Sequence, residues 1–202
     1  DCIIHLISKQ HEISEFKKKS FKDYYFTNVE ILKKIIIFAK KKNVKKIIFT
    51  STVKVYGEYT FKDKSFKLSS SFNPISNYAK TKLLAEKQLI NDLVNSSTKY
   101  TILRLPLVYG FETKGNFKTL HKLINTNLPL PLKNIDNLKS VLHIENLFDF
   151  IEIVLHSNLS ENEEFNICDD KDISTTEIVK IIKKKLNKKN YLFYCPHLLI
   201  TG

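Results

Sequence analysis

Tyr78 and Lys82 stand four residues apart in Tyr78-Ala79-Lys80-Thr81-Lys82, a spacing that puts both side chains on one face of a helix. A phenol with an ordinary pKa of about 10 is a poor base at neutral pH. An ammonium within about 4–6 Å favours the phenolate, the form that can act as a base. The pair alone says little, because nine tyrosines in a chain this rich in lysine give roughly one such spacing by chance. Its weight comes from the elements that must position it.

Those elements alternate in type. Residues 2–6 form an apolar run short enough for a buried strand, followed by a helical pattern at Val29, Leu32, Ile36 and Ala39. Residues 47–50 read as a second buried strand and 68–77 as a loop. A helix is expected over 75–94, with Ser76 or Asn77 as its cap. Residues 101–105 give a third strand, closed by Pro106. Beyond Gly110 the pattern predicts helices at 117–124, 146–155 and 175–186 and a strand at 164–167. Buried strands alternating with helices predict a doubly wound parallel sheet of the α/β class. In such sheets ligands sit beyond the carboxyl ends of the strands, which directs attention to Ile7-Ser8, Thr50-Ser51-Thr52 and the segment 106–110.

Composition narrows the classes. With 202 residues, 43% hydrophobic and 27% charged, the chain is globular, and no apolar run approaches the ~18 residues of a membrane span. The formal charge of +12 raises a nucleic-acid reading, but Arg104 is the only arginine among 33 basic residues. Lysine runs such as Lys17-Lys18-Lys19 and Lys183-Lys184-Lys185 read as solvated helix faces rather than as base or phosphate readers. Cys2, Cys168 and Cys195 are odd in number and widely spaced, which suggests a reducing cytoplasm. His5, His121 and His143 are scattered and read as structural, so no metal site is expected.

In order along the chain, several segments resemble the extended short-chain dehydrogenase/reductases, in the branch of the UDP-glucose 4-epimerases. Ile48-Phe49-Thr50-Ser51-Thr52-Val53-Lys54-Val55-Tyr56-Gly57 is similar to the family's hydroxyl-bearing strand end and Val-Tyr-Gly turn, and Tyr78 and Lys82 match its Tyr-x-x-x-Lys. Arg104-Leu105-Pro106-Leu107-Val108-Tyr109-Gly110 resembles its Arg-x-Pro-x-x-Tyr-Gly segment, with Leu107 where some epimerases have Asn. Gly115-Asn116-Phe117, Pro129-Leu130-Pro131-Leu132 and Asn137-Leu138-Lys139-Ser140 resemble its nucleotide-sugar end. The 4,6-dehydratases of the family carry Thr-Asp-Glu where this chain has Thr52, Val53 and Lys54. The acid and base that expel water are absent, and a dehydratase is disfavoured.

The resemblance implies a Rossmann-like sheet lacking its first strands, with a small C-terminal substrate-binding region. It implies catalysis by Thr52, Tyr78 and Lys82, with NAD held by Leu6, Ile7, Ser8, Asn28, Thr52, Tyr78, Lys82 and Pro106. The nucleotide sugar, of UDP-hexose or UDP-N-acetylhexosamine type, would be held by Asn116, Phe117 and Lys139, where Lys139 offers a point charge in place of an Arg fork. The implied reaction is NAD-dependent epimerisation at C4 through a 4-keto sugar, in a cytoplasmic protein that could be a homodimer. A keto-sugar reductase, a hydroxysteroid-type dehydrogenase or an inactive module with the same fold stays open beside it. The expected division is a dinucleotide-binding part at 1–110 and a mainly substrate-binding part at 111–202. The four glycines, Gly57, Gly110, Gly115 and Gly202, leave no Gly-rich phosphate turn. About 60 residues are therefore expected to precede residue 1, counting strands and helices at usual lengths.

Overall fold

The computed structural model describes residues 1–10, 20–61, 64–110, 116–135 and 137–195. Its centre is a four-stranded parallel sheet in the order β1 (Cys2–His5), β2 (Lys46–Thr52), β3 (Lys99–Leu105), β7 (Glu163–Asn166). All seven residues of β2 are buried, as a near-continuous apolar run between two parallel neighbours requires. The doubly wound class expected from the alternation is the one observed. Strands run somewhat longer than the periodicity predicts, because β2 and β3 stay paired from Lys46↔Lys99 to Thr52↔Leu105.

After β1 the chain forms α1 (Phe21–Tyr25), a π-helical turn (Phe26–Glu30) and α2 (Ile31–Lys41). Leu32, Ile36 and Ala39 of α2 pack with Ile47 and Phe49 of β2, Tyr100 and Ile102 of β3, and Ala85, Leu89 and Leu93 of α3 (Asn77–Leu93). These residues form the main core on one face of the sheet. Ser76 caps α3, its hydroxyl accepting from the Ala79 N–H at 3.2 Å. Of the two expected caps, the serine is the one used.

The other face carries α5 (Ile144–His156), whose Leu147, Ile151 and Val154 are buried. Lys46 reaches from β2 to its C-terminal end and donates to the carbonyls of Val154 at 2.9 Å and Ser157 at 2.7 Å and to Ser160 Oγ at 3.1 Å. A buried ammonium here meets carbonyls that a helix end leaves without partners.

Residues divide into two compact units, 1–106 with 147–167, and 107–146 with 168–202. The boundary is not one cut near residue 110, because β7 pairs with β3 and draws 147–167 into the first unit. In the second unit β4 (Leu107–Tyr109) pairs in parallel with β6 (Val141–His143), and β5 (Leu138–Lys139) pairs antiparallel with β8 (Ile173–Ser174). Neither short pairing has a periodicity long enough to read. In the same unit α4 (Asn116–Asn125) and α6 (Thr175–Lys185) share a core of Ile124, Leu130 and Val179, and Ser174 with Glu177 forms a capping box at the start of α6. Gly110 has φ +149°, and a Cβ there would collide with the Ile144 side chain, so the motif glycine is needed for backbone and for space. Among the described residues no helix is long and apolar enough to cross a membrane.

Lys46→Met should remove three charge-assisted hydrogen bonds while leaving their acceptors buried. The expected loss is about 2–3 kcal/mol of unfolding free energy in urea, and a change below about 0.5 kcal/mol would show that these acceptors do not depend on Lys46.

Candidate active site

Thr52 ends β2 and caps a single 3₁₀ turn, Val53–Val55, its Oγ1 accepting from the Lys54 N–H at 3.3 Å. Tyr78 lies in the first turn of α3 and Lys82 one turn later, both buried. The Tyr78 phenol faces the side chains of Ser8, Thr52 and Gln10. Burial raises its pKa, against the pull of those three groups toward phenolate. Ser8 Oγ nevertheless closes no hydrogen bond of normal geometry and is a buried atom without a partner.

Lys82 departs from the simple expectation of an ammonium beside the phenol. Its Nζ lies 4.1 Å from the centroid of the Phe49 ring and is buried with no hydrogen-bond partner among the described residues. Burial pushes its pKa down to about 7, with the Glu86 carboxylate opposing. His5, the register partner of Phe49, stacks on that ring at 5.6 Å and leaves its Nε2 buried and unpaired. Burial, and then the Lys82 charge, hold His5 down to about 4.

Asn28 is fully buried in the π-helical turn, and its amide is committed on both sides. Oδ1 accepts from the Lys9 N–H at 2.7 Å, while Nδ2 donates to the Lys9 carbonyl at 3.3 Å and to Thr81 Oγ1 at 3.0 Å. Asn28 thereby clamps the loop after β1, which carries Ser8 and Gln10, to the helix between Tyr78 and Lys82. Π-helical turns recur at functional sites, and here the turn sits where the clamp needs it.

The structure thus brings Ser8, Asn28, Thr52, Tyr78 and Lys82 together at the carboxyl end of the sheet. Leu6 and Ile7 follow β1 and are exposed, and Pro106 follows β3, half-buried. Lys139 is exposed in β5 of the second unit, and Asn116 and Phe117 open α4, their side chains outside the described residues.

Sequence reasoning gave no site role to His5, read as structural, to Phe49, Ser51 and Arg104, quoted within motifs, or to Thr81 and Glu86. Arg104 Nε and Nη2 grip both oxygens of Glu86 at 2.7–3.2 Å, and Ser51 Oγ donates to Glu86 Oε1. Arg104 also donates to Tyr56 Oη and to Glu164. The available signal was Glu86 itself, a further four residues along the face of Tyr78 and Lys82, together with a lone arginine at the end of a buried strand.

A model of the NAD dependent epimerase/dehydratase family matches residues 1–168, and the chain belongs to that family. It is 30% identical over 195 residues to a UDP-glucose 4-epimerase of Vibrio cholerae, covering 96% of this chain and 60% of that protein. It is 29% identical over 176 residues to an N-acetyl-alpha-D-glucosaminyl-diphospho-ditrans,octacis-undecaprenol 4-epimerase of Escherichia coli, covering 86% of this chain and 52% of that one. The chain spans half to three fifths of the length of these relatives. Its fold matches a UDP-glucuronic acid 4-epimerase from Bacillus cereus, solved with UDP-glucuronic acid and NAD, at a TM-score of 0.81 and 21% identity, covering 96% of this chain and 62% of that one.

NAD is the family's cofactor, and the residues present fit one end of it. Lys82 Nζ and Ser8 Oγ are buried polar atoms that lack partners among the described residues, as donors to a ribose would. Among the described residues the pyrophosphate end has no counterpart, since neither Gly57 nor Gly110 belongs to a Gly-rich turn at a helix start.

His5 carries a pH signature of this packing. Its pKa falls from about 6.5 unfolded to about 4 folded, so between those values the unfolded chain binds the extra proton and stability rises with pH. The contribution, on the order of 3 kcal/mol, is fully present above pH ~6.5 and is lost as pH falls through 4. Urea unfolding at pH 4 and at pH 6.5 should show a smaller difference in His5→Phe than in the parent, and equal differences would place His5 in solvent.

Proposed function

We propose that this chain carries the proton-transfer half of an NAD-dependent nucleotide-sugar epimerase that inverts C4 of a UDP-hexose or UDP-N-acetylhexosamine through a transient 4-keto sugar. The observation that carries the reading is the convergence of Ser8, Thr52 and Gln10 around the buried phenol of Tyr78, with Lys82, whose Nζ lacks a hydrogen-bond partner among the described residues, on the same helix. The similarity to two 4-epimerases over most of the chain supports it.

The substrate C4 hydroxyl would lie against Tyr78 Oη and Thr52 Oγ1. Thr52 holds the oxygen, and Tyr78 takes its proton as hydride leaves the carbon. NAD supplies the hydride acceptor and donor, so the cofactor ends unchanged. Burial alone makes Tyr78 a weaker acid, and the phenolate therefore depends on hydrogen bonds from Thr52, Ser8 and Gln10 and on a cation. Lys82 supplies that charge and, through its free Nζ, a donor to the nicotinamide ribose. After the keto sugar presents its other face, Tyr78 returns the proton and Thr52 again fixes the oxygen. Asn28 keeps the Ser8 loop and the helix in register throughout. Lys139, Asn116 and Phe117 are proposed to contact the diphosphate and sugar. The lipid-linked diphosphate sugar in the name of the Escherichia coli relative makes such a substrate the first alternative to a free nucleotide sugar.

Tyr78→Phe in the full-length protein should lower kcat by at least ~10²-fold with little change in KM. Lys82→Ala should weaken NAD binding as well as turnover. Net NADH accumulating with sugar substrate would mark a dehydrogenase and displace the epimerase reading, and unchanged turnover in Tyr78→Phe would remove Tyr78 as the base. Residues 1–202 alone should bind NAD weakly for want of a pyrophosphate cradle, and micromolar affinity by calorimetry would place the phosphate site elsewhere in this chain.

A further inference from the structure

On the reading that Tyr78 and Lys82 are the working pair, we propose that Glu86 is a positioning residue whose buried carboxylate, fixed by Arg104 and Ser51, keeps Lys82 able to carry its proton. Two strand residues meet two helix residues in step. On β2, Phe49 and Ser51 point to the same side, and on α3, Lys82 and Glu86 are one turn apart. Phe49 lies under Lys82, and Ser51 donates to Glu86. Lys82, Glu86 and Arg104 are each about 1% exposed, so no water screens them and a charge in this layer is costly unless another balances it.

The groups around Lys82 can be taken element by element. On β1, His5 is neutral and stacked on Phe49, since a second cation there would oppose Lys82. On α3, Tyr78 is a neutral phenol, and burial raises the pKa of Glu86 while the hydrogen bonds and charge of Arg104 and the hydroxyl of Ser51 pull it back toward the carboxylate. On β3, Arg104 is bound to Glu86 and, through Nη2, to Glu164 of β7. Tyr56 accepts from Arg104 Nη1. Arg104 donates to both Glu86 oxygens, which leaves them as acceptors, the role of an ionised carboxylate. One guanidinium between two carboxylates leaves a net negative charge, and Lys82 is the buried cation on the neighbouring turn that offsets it. Arg104 thereby locks Glu86 in place without cancelling the field at Lys82. The Glu86 charge acts in the same sense, opposing the downward push of burial on Lys82.

The test is an NMR titration of the lysine side-chain Cε and Nζ signals in the full chain, with Lys82→Gln identifying the Lys82 signal. In the parent, Lys82 should titrate near neutral pH, far below the other lysines. Glu86→Gln should lower that midpoint by at least about one pH unit, whereas Glu86→Asp, which keeps the charge, should hold it within about 0.3. A purely structural Glu86 would leave the Lys82 midpoint unmoved in a folded Glu86→Gln protein, and that result overturns the proposal. Should Glu86→Gln not fold, Glu164→Gln serves in its place. It strips the excess negative charge from a partly exposed position and should lower the midpoint by at least about 0.3 pH unit; no change there also overturns the proposal. The titration is independent of turnover, so shifted midpoints in a protein without epimerase activity support Glu86 in this role and overturn only the function proposed above.

Discussion

The contact on which the rest of the first unit depends is the grip of Arg104 on Glu86, because it fixes the height of α3 against the sheet. Both side chains are buried, and each is satisfied by the other together with Ser51, Tyr56 and Glu164. Apolar packing alone would let a helix slide along a pleated surface by a fraction of a turn at small cost. A bidentate ion pair with fixed directions does not, and breaking one side of it would leave an uncompensated buried charge. With α3 pinned at Glu86, Lys82 comes to rest over Phe49 and Tyr78 arrives at the strand end beside Thr52. Tyr56 and Phe72 stack on each other, with the Arg104 guanidinium 5.1 Å from each ring centroid, which carries the same constraint into the Val-Tyr-Gly turn.

The second constraint is the clamp at Asn28. Loops that follow a strand at the ligand-binding end of an α/β sheet are free to move unless their backbone is tied. Lys9 is tied at both its N–H and its carbonyl to one side-chain amide. The amide is in turn oriented by Thr81, whose hydroxyl lies against the carbonyls of Asn77 and Tyr78. A change in the first turn of α3 is therefore felt at the loop that carries Ser8 through Thr81 and Asn28 as well as through Tyr78. The wider coil of the π-helical turn brings Asn28 inward while Val29 stays in the core on the same turn.

Much of this was legible in the residues. The parallel sheet followed from buried runs alternating with helical periodicity, and the seven-residue burial of β2 is what such a run means in three dimensions. Ser76 announced the start of α3, and the order of Thr52, Tyr78 and Lys82 along the chain placed them at one end of the sheet. The polar layer beneath them was not legible. His5, Ser51, Glu86 and Arg104 lie on elements whose pattern reads as core, and nothing in a periodicity tells a buried charge with a partner from a solvated one. Their pairing depends on which strand residues face α3, and that is fixed only once the register His5↔Phe49 and Ser51↔Arg104 is known.

The same layer explains why the simple picture of a lysine that lowers the pKa of a tyrosine needs amendment. Burial raises Tyr78 and lowers Lys82, so in this chain both groups are pushed toward their neutral forms. A neutral phenol beside a readily neutralised amine is the cheapest arrangement for a dry site, and it is also an uncharged one. The proton transfer proposed above would need the opposite, a phenolate beside an ammonium, and each charge makes the other easier to form. The site is thus poised rather than charged. On the function proposed above, a ligand hydrogen-bonded to Lys82 Nζ and Ser8 Oγ would lower the cost of the ammonium, and the ammonium in turn would lower the cost of the phenolate. On this argument cofactor binding and base activation are one electrostatic event.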